Sequence, residues 1–178
     1  MSLDTLIHRA SLPSPQVSEA QALQWLAEHY GLSGTLQALG SQQDLNYRVD
    51  SARGRFVLKI CRGDYALVEL QAQHAGLKYL AEHSDVHVPR VIAANSGEDL
   101  LSLEVDGEAV HVRLLDYIEG QPLTHLDHLG HAVVAGFGRL CGEMDLALAG
   151  FDHAGLERTL QWDARHASAL IAHLLPVI

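Results

Sequence analysis

The feature that most constrains this chain is a lysine set inside an apolar run, Arg55-Phe56-Val57-Leu58-Lys59-Ile60. The β-forming residues around it make the run a strand. Its two-residue period puts Val57 and Lys59 on one face, and Phe56, Leu58 and Ile60 on the other. An ammonium on so apolar a strand needs water or an anion, because burying it unpaired is very costly. Two arrangements satisfy that need: an edge-strand lysine reaching solvent, or a lysine facing an acid within the fold. Glu69 is an available acid. It sits in a helical stretch, with Gly76 and Leu80 stacked in line with it at i+7 and i+11.

Residues 1–31 form a lead-in punctuated by Pro13 and Pro15, then a helix. Ser18-Glu19-Ala20-Gln21 reads as a capping box, with Ser18 as N-cap and Gln21 reaching back. The helix it opens points Ala22, Leu23, Leu26 and Ala27 inward and stops at Gly31. A β-rich tract follows. Thr35–Leu39, Asn46–Val49 and the lysine strand form an antiparallel meander, whose first connection, Gly40-Ser41-Gln42-Gln43-Asp44, is polar apart from its glycine. Asp64 to Glu82 reads as a second helix, and its small residues Ala66, Ala72 and Gly76 predict close approach to a sheet. Val91–Ala94 reads as a short strand. Leu100–Val105 and Glu108–Tyr117 flank Asp106-Gly107, a strong hairpin signal. After Asp116-Tyr117-Ile118-Glu119-Gly120-Gln121-Pro122 the pattern is helical only, over about 127–148 and 155–175.

Composition narrows the function classes. The chain has 178 residues, 48% of them hydrophobic and 19% charged, and no apolar run long enough to span a bilayer. Its start lacks a basic region followed by an apolar core, so no signal peptide is expected. With Cys61 and Cys141 as the only cysteines, a disulfide scaffold is not expected and the default location is cytoplasmic. A net charge of −10 with scattered basic residues argues against nucleic acid or an anionic membrane as partner. His125, His128 and His131 drift around a helix and do not converge on a metal; no metal site is expected within the chain.

The lysine strand, the acid on the following helix, the polar loop before them, the Asp116–Gly120 linker, and the helix 127–148 followed by Trp162 come in a familiar order. The chain resembles the kinase-like fold, and in detail the aminoglycoside phosphotransferase family with its hydroxylysine-kinase-like and homoserine-kinase-like branches. The resemblance implies an α+β fold: an antiparallel amino-terminal lobe of five to six strands with one inserted helix, followed by the start of an all-helical lobe. The divisions are a lead-in over 1–31, the first lobe and hinge over 32–120, and an incomplete helical lobe over 121–178. By similarity, Gly40–Leu45 covers nucleotide phosphates, Lys59 holds the α- and β-phosphates, Glu69 fixes Lys59, and the linker backbone meets adenine. The implied nucleotide-binding set is Ser41, Gln42, Gln43, Asn46, Val57, Lys59, Glu69, Asp116 and Ile118, with ATP and Mg²⁺ as cofactors.

One departure from the family pattern carries weight. The family's catalytic segment, His-Gly-Asp followed after four residues by Asn, is absent. The only asparagines are Asn46 and Asn95, and His125-Leu126-Asp127 has Ala132 where the asparagine belongs. No catalytic residue is therefore expected within this chain, and the metal ligands are expected outside it. The resemblance implies the nucleotide-binding portion of an ATP-dependent small-molecule kinase acting on a hydroxyl of an amino compound. Such domains also occur fused to a class-III aminotransferase. The alternative is a non-catalytic regulatory or docking module with the same fold. Exposed apolar positions on the helix 127–148 also predict self-association.

Overall fold

A computed structural model describes residues 14–41, 43–125, 127–158 and 163–175. The first helix, α1 (Glu19–Tyr30), is capped as its sequence predicts at one end of the box only. Ser18 Oγ accepts from the Gln21 amide at 3.2 Å, while the Gln21 side chain turns to Gln24 at 3.4 Å. Its other end closes on Gly31, whose φ of 60° is the left-handed turn that glycine adopts without strain. The buried stripe is Ala22, Trp25, Leu26 and Tyr30. Ala27, expected inside, is exposed, because the bulky Trp25 and Tyr30 centre the buried stripe on the other side of Leu26.

Six antiparallel strands make one sheet: β1 (Gly34–Leu39), β2 (Leu45–Ser51), β3 (Gly54–Arg62), β4 (Val91–Ile92), β5 (Leu101–Val105) and β6 (Glu108–Asp116). The meander β1-β2-β3 is as expected. β6 then pairs along β3 on one edge, and on its other edge receives β5 over residues 108–112 and β4 over 114–115. The β5–β6 hairpin turns at Asp106 and Gly107, both with positive φ, 52° and 81°, which matches the right-handed twist of the strands. One sheet face buries Val49, Leu58, Ile60, Val112 and Leu114 against α1 in a single apolar core. The opposite face carries Val57, Lys59 and Arg113.

The inserted helix α2 spans Leu67–His83. It starts later than expected because the Asp64 carboxylate is drawn to Arg62 Nε at 3.0 Å and the Tyr65 amide bonds back to the Arg62 carbonyl. The small residues of α2 have a different partner from the one the sequence suggests. A Cβ placed on Gly76 would lie 3.6 Å from the Phe151 ring, and one on Gly155 would lie 2.0 Å from the Val68 carbonyl oxygen and 2.9 Å from Ala72 Cβ. The small face therefore receives the segment around Phe151–Leu156, and the helix turns Gln73 toward the sheet, where it meets Arg113.

Beyond β6, Leu123–His125 form a single 3₁₀ turn, and α3 spans His131–Leu148, starting later than the expected 127. The helix expected over 155–175 is not continuous. It is replaced by 3₁₀ turns at Ala154–Leu156 and Ala164–His166 and by the short α4 (Ala167–Leu174). His153 stops the pattern locally, its Nδ1 accepting from the Gly155 amide at 3.0 Å. Trp162 lies outside the described residues. α3 buries none of its residues and exposes Val133, Val134, Phe137 and Leu140. No helix among the described residues is long and apolar enough to cross a membrane.

His74 on α2 is buried, and its Nε2 has no hydrogen-bond partner among the described residues. Burial, and then the nearby Arg113 charge, pull its pKa from 6.5 down to about 4. The unfolded chain takes up this proton first, so the stability held by neutral His74 is complete above about 6.5 and drains away as the pH falls toward about 4. Urea unfolding across that window should show a steeper acid loss for this chain than for a His74→Phe variant, and equal slopes would contradict it.

Candidate functional site

The cleft opens on the second sheet face. It encloses about 980 Å³ between β3 and β6, α2, the segment Tyr117–Pro122, and the stretch from Leu148 to Arg158. Strand alternation delivers Val57 and Lys59 into it, as the sequence period requires. Lys59 is mostly buried, with a side-chain exposure of 20%. Its Nζ donates to Asn46 Oδ1 at 2.7 Å and stands 3.8 Å from Asp44 Oδ2. Asn46 is its register partner across β2 and β3, so the two rise side by side from one face. Burial lowers the Lys59 pKa below its ordinary 10.5, Asp44 pulls it back up, and Arg113 depresses it further. Burial also pushes the neighbouring Cys61 thiol up to about 11, so it stays protonated and unreactive at neutral pH.

Lys59 and Glu69 line the same cleft, but no ion pair joins them among the described residues. Glu69 Oε2 instead accepts from Arg158 Nη1 at 3.4 Å. The cause lies in the packing of α2: the chain that lies along its Ala72–Gly76 face carries Arg158 to the acid. Lys59 turns the other way, to Asn46 and Asp44.

The remaining expected residues divide between wall and frame. Asp116 and Ile118 line the cleft with Val57, Lys59 and Glu69; Ser41 and Gln43 shape the loop beside it, and Asn46 stands on β2. Ser41 Oγ accepts from the Asp44 amide at 3.1 Å, and Gln43 Oε1 accepts from the Tyr65 hydroxyl at 2.7 Å, which ties the loop to the chain after β3. Gln42 lies outside the described residues. The Asp116 carboxylate accepts from Arg90 Nε at 2.8 Å and from the Arg90 amide. The Asp116 amide bonds to the Arg90 carbonyl and the Tyr117 amide to the Arg55 carbonyl. Among the described residues, the Ile118 amide makes no backbone hydrogen bond, and Ile118 lines the cleft. Arg55, exposed, spans Asp50 and Glu119, tying the linker to the β2–β3 turn.

Three charged residues of the site carry no sequence motif. Asp44 sits in the polar loop, Arg158 arrives from far along the chain, and Arg113 stands opposite Lys59 in the β3–β6 register. The alternation that places Lys59 also places Arg113, since Val112 and Leu114 face the core. Among the described residues no cluster of His, Cys, Asp or Glu is arranged to hold a metal ion, so no metal ligation is assigned to them.

The model of the phosphotransferase enzyme family matches residues 35–177. The chain belongs to that family. This phosphotransferase-family chain also resembles solved structures. A microcompartment-associated aminopropanol kinase superposes with a TM-score of 0.65 at 20% identity, covering 84% of this chain and 46% of that one. The amicoumacin kinase hAmiN, solved with AMP-PNP, Ca²⁺ and Ami, superposes with a TM-score of 0.64 at 14% identity, covering 93% of this chain and 48% of that one. No curated protein sequence matches. The likenesses establish a kinase-like α+β fold, and the chain spans about half the length of these two kinases.

The Lys59 environment has a direct readout. In the reductively methylated chain, the ¹³C-methyl resonance of Lys59 should titrate below that of a methylated lysine in a short unstructured peptide. Asp44→Asn should move it lower still, because the carboxylate supports the charged form. A Lys59 resonance that titrates with the peptide lysine, or does not respond to Asp44→Asn, would contradict the arrangement.

Proposed function

We propose that this chain is the nucleotide-binding portion of an ATP-dependent small-molecule phosphotransferase. The observation that carries the reading is the half-buried Lys59 sharing one cleft with a linker whose Ile118 amide has no backbone partner among the described residues. A nucleotide needs both: a cation for phosphate at one end and backbone polar groups for the base edge at the other. In this reading Ile118 N–H and the Asp116 carbonyl meet adenine, Val57 lies against the ring, and Lys59 holds phosphate. Ser41, Gln42 and Gln43 cover the phosphates, and Asn46 keeps Lys59 in place. Glu69 exchanges Arg158 for Lys59 when α2 shifts.

Transfer itself needs a base and Mg²⁺ ligands, which this reading places outside the chain. Residues 121–178 then begin a helical lobe, the rest of which covers the apolar face of α3; without that cover the chain self-associates. An acceptor hydroxyl on an amino compound, as in the hydroxylysine- and homoserine-kinase-like branches, fits an acidic protein and the named substrate of the aminopropanol kinase. A cytoplasmic setting fits this chemistry, and a fused class-III aminotransferase stays a possible further activity of a longer protein. The second reading, a non-catalytic module, is favoured by one observation: the sequence holds no His-x-Asp-x₄-Asn.

Titration calorimetry of the purified chain decides the first point. ADP should bind, Lys59→Met should weaken it by about tenfold or more, and Glu119→Ala, a rim residue, should change it by less than about twofold. No binding of ADP by the folded chain would sink the nucleotide reading. The chain alone should transfer no phosphate from ATP to homoserine, hydroxylysine or aminopropanol, and turnover by it would overturn the placement of the base outside.

A further inference from the structure

Arg113 is buried to an exposure of 4%, yet it lines the cleft. Its Nη2 donates to Gln73 Oε1 at 2.6 Å, and its buried Nε has no partner among the described residues. No carboxylate lies within ion-pair distance of it among the described residues; Asp44 stands by Lys59, and Glu69 by Arg158. His74, whose charge Arg113 also opposes, is held neutral. Arginine stays charged at any working pH. A buried guanidinium facing one neutral amide, beside the half-buried Lys59 ammonium, therefore stands, among the described residues, without the opposite charge that burial normally requires.

The guanidinium is planar and rigid, a fork that matches phosphate oxygens and is oriented here by Gln73 from α2. It rises from the same sheet face as Lys59, directly across the ladder. We propose that Arg113 is a second phosphate-binding cation of this cleft, offering its free N–H groups beside Lys59 to the phosphate chain of a bound nucleotide. The proposal rests on the nucleotide reading of the cleft. It gives Gln73 a task, that of aiming the fork. It also accounts for an arginine on a strand face where an apolar residue would be cheaper to bury.

The test compares ADP with adenosine, which shares the base and sugar but lacks phosphate. In the unmodified chain ADP should bind more tightly than adenosine. Arg113→Met should remove about tenfold or more of that preference, while adenosine affinity changes by less than about twofold. The ligand-free variant should melt at the same temperature as the native chain or higher, since an unpaired buried charge is gone. Arg113→Lys, which keeps the charge and loses the fork, should fall between them; it also serves if the methionine variant does not fold. If ADP and adenosine weaken together and the melting temperature drops, Arg113 is a structural residue and the proposal fails, with the nucleotide reading intact. An unchanged ADP preference in the variants overturns it equally. If the native chain binds neither ligand, the nucleotide reading fails and the proposal falls with it.

Discussion

The pairing of β3 with β6 is the constraint on which the rest of the site depends. Phe56 to Arg62 run against Asp116 to Val110 without a break in register. Because both strands alternate, one set of side chains fills the core against α1 and the other forms the cleft floor. A slip of one residue in β3 would put Lys59 into the apolar core and Leu58 into the cleft, and the same slip in β6 would do so to Arg113 and Leu114. The buried Leu58, Ile60, Val112 and Leu114 hold the register, and so hold two cations side by side.

That juxtaposition sets the electrostatics of the site. Lys59 and Arg113 repel each other across the ladder, and burial disfavours the charge on Lys59. The acids that could neutralise the pair are held by geometry at its edges, Asp44 in the loop and Glu69 under Arg158. The chain thus keeps positive charge in a sheltered place and leaves part of it without a protein partner. Charge held ready in a partly desolvated site interacts more strongly with an incoming anion than the same charge in water does.

What the sequence makes legible is what depends on neighbours along the chain. The Asp106-Gly107 hairpin, the Ser18 cap, the strand meander and the face that Lys59 takes all follow from local period or turn chemistry. What is not legible depends on which distant segment arrives. Ala72 and Gly76 announce that something packs closely on α2, but small residues do not say what, and the occupant is the Phe151–Leu156 segment where a sheet was expected. Glu69 has the right spacing for Lys59, yet Arg158, far along the chain, reaches it. Arg113 obeys the same alternation as Lys59 but belongs to no motif that would draw the eye. The apolar pattern over 155–175 reads as one helix, and His153 and the tight packing of Gly155 break it into turns.

The close approach of Gly155 to α2 has a mechanical consequence. No side chain fits between the two backbones, and the Val68 carbonyl and Ala72 methyl leave no slack. Any shift of α2 must therefore carry the 3₁₀ turn at Ala154–Leu156 with it. Steric engagement couples the helix to this distant stretch, so a side chain added at Gly155 would have to part the two backbones.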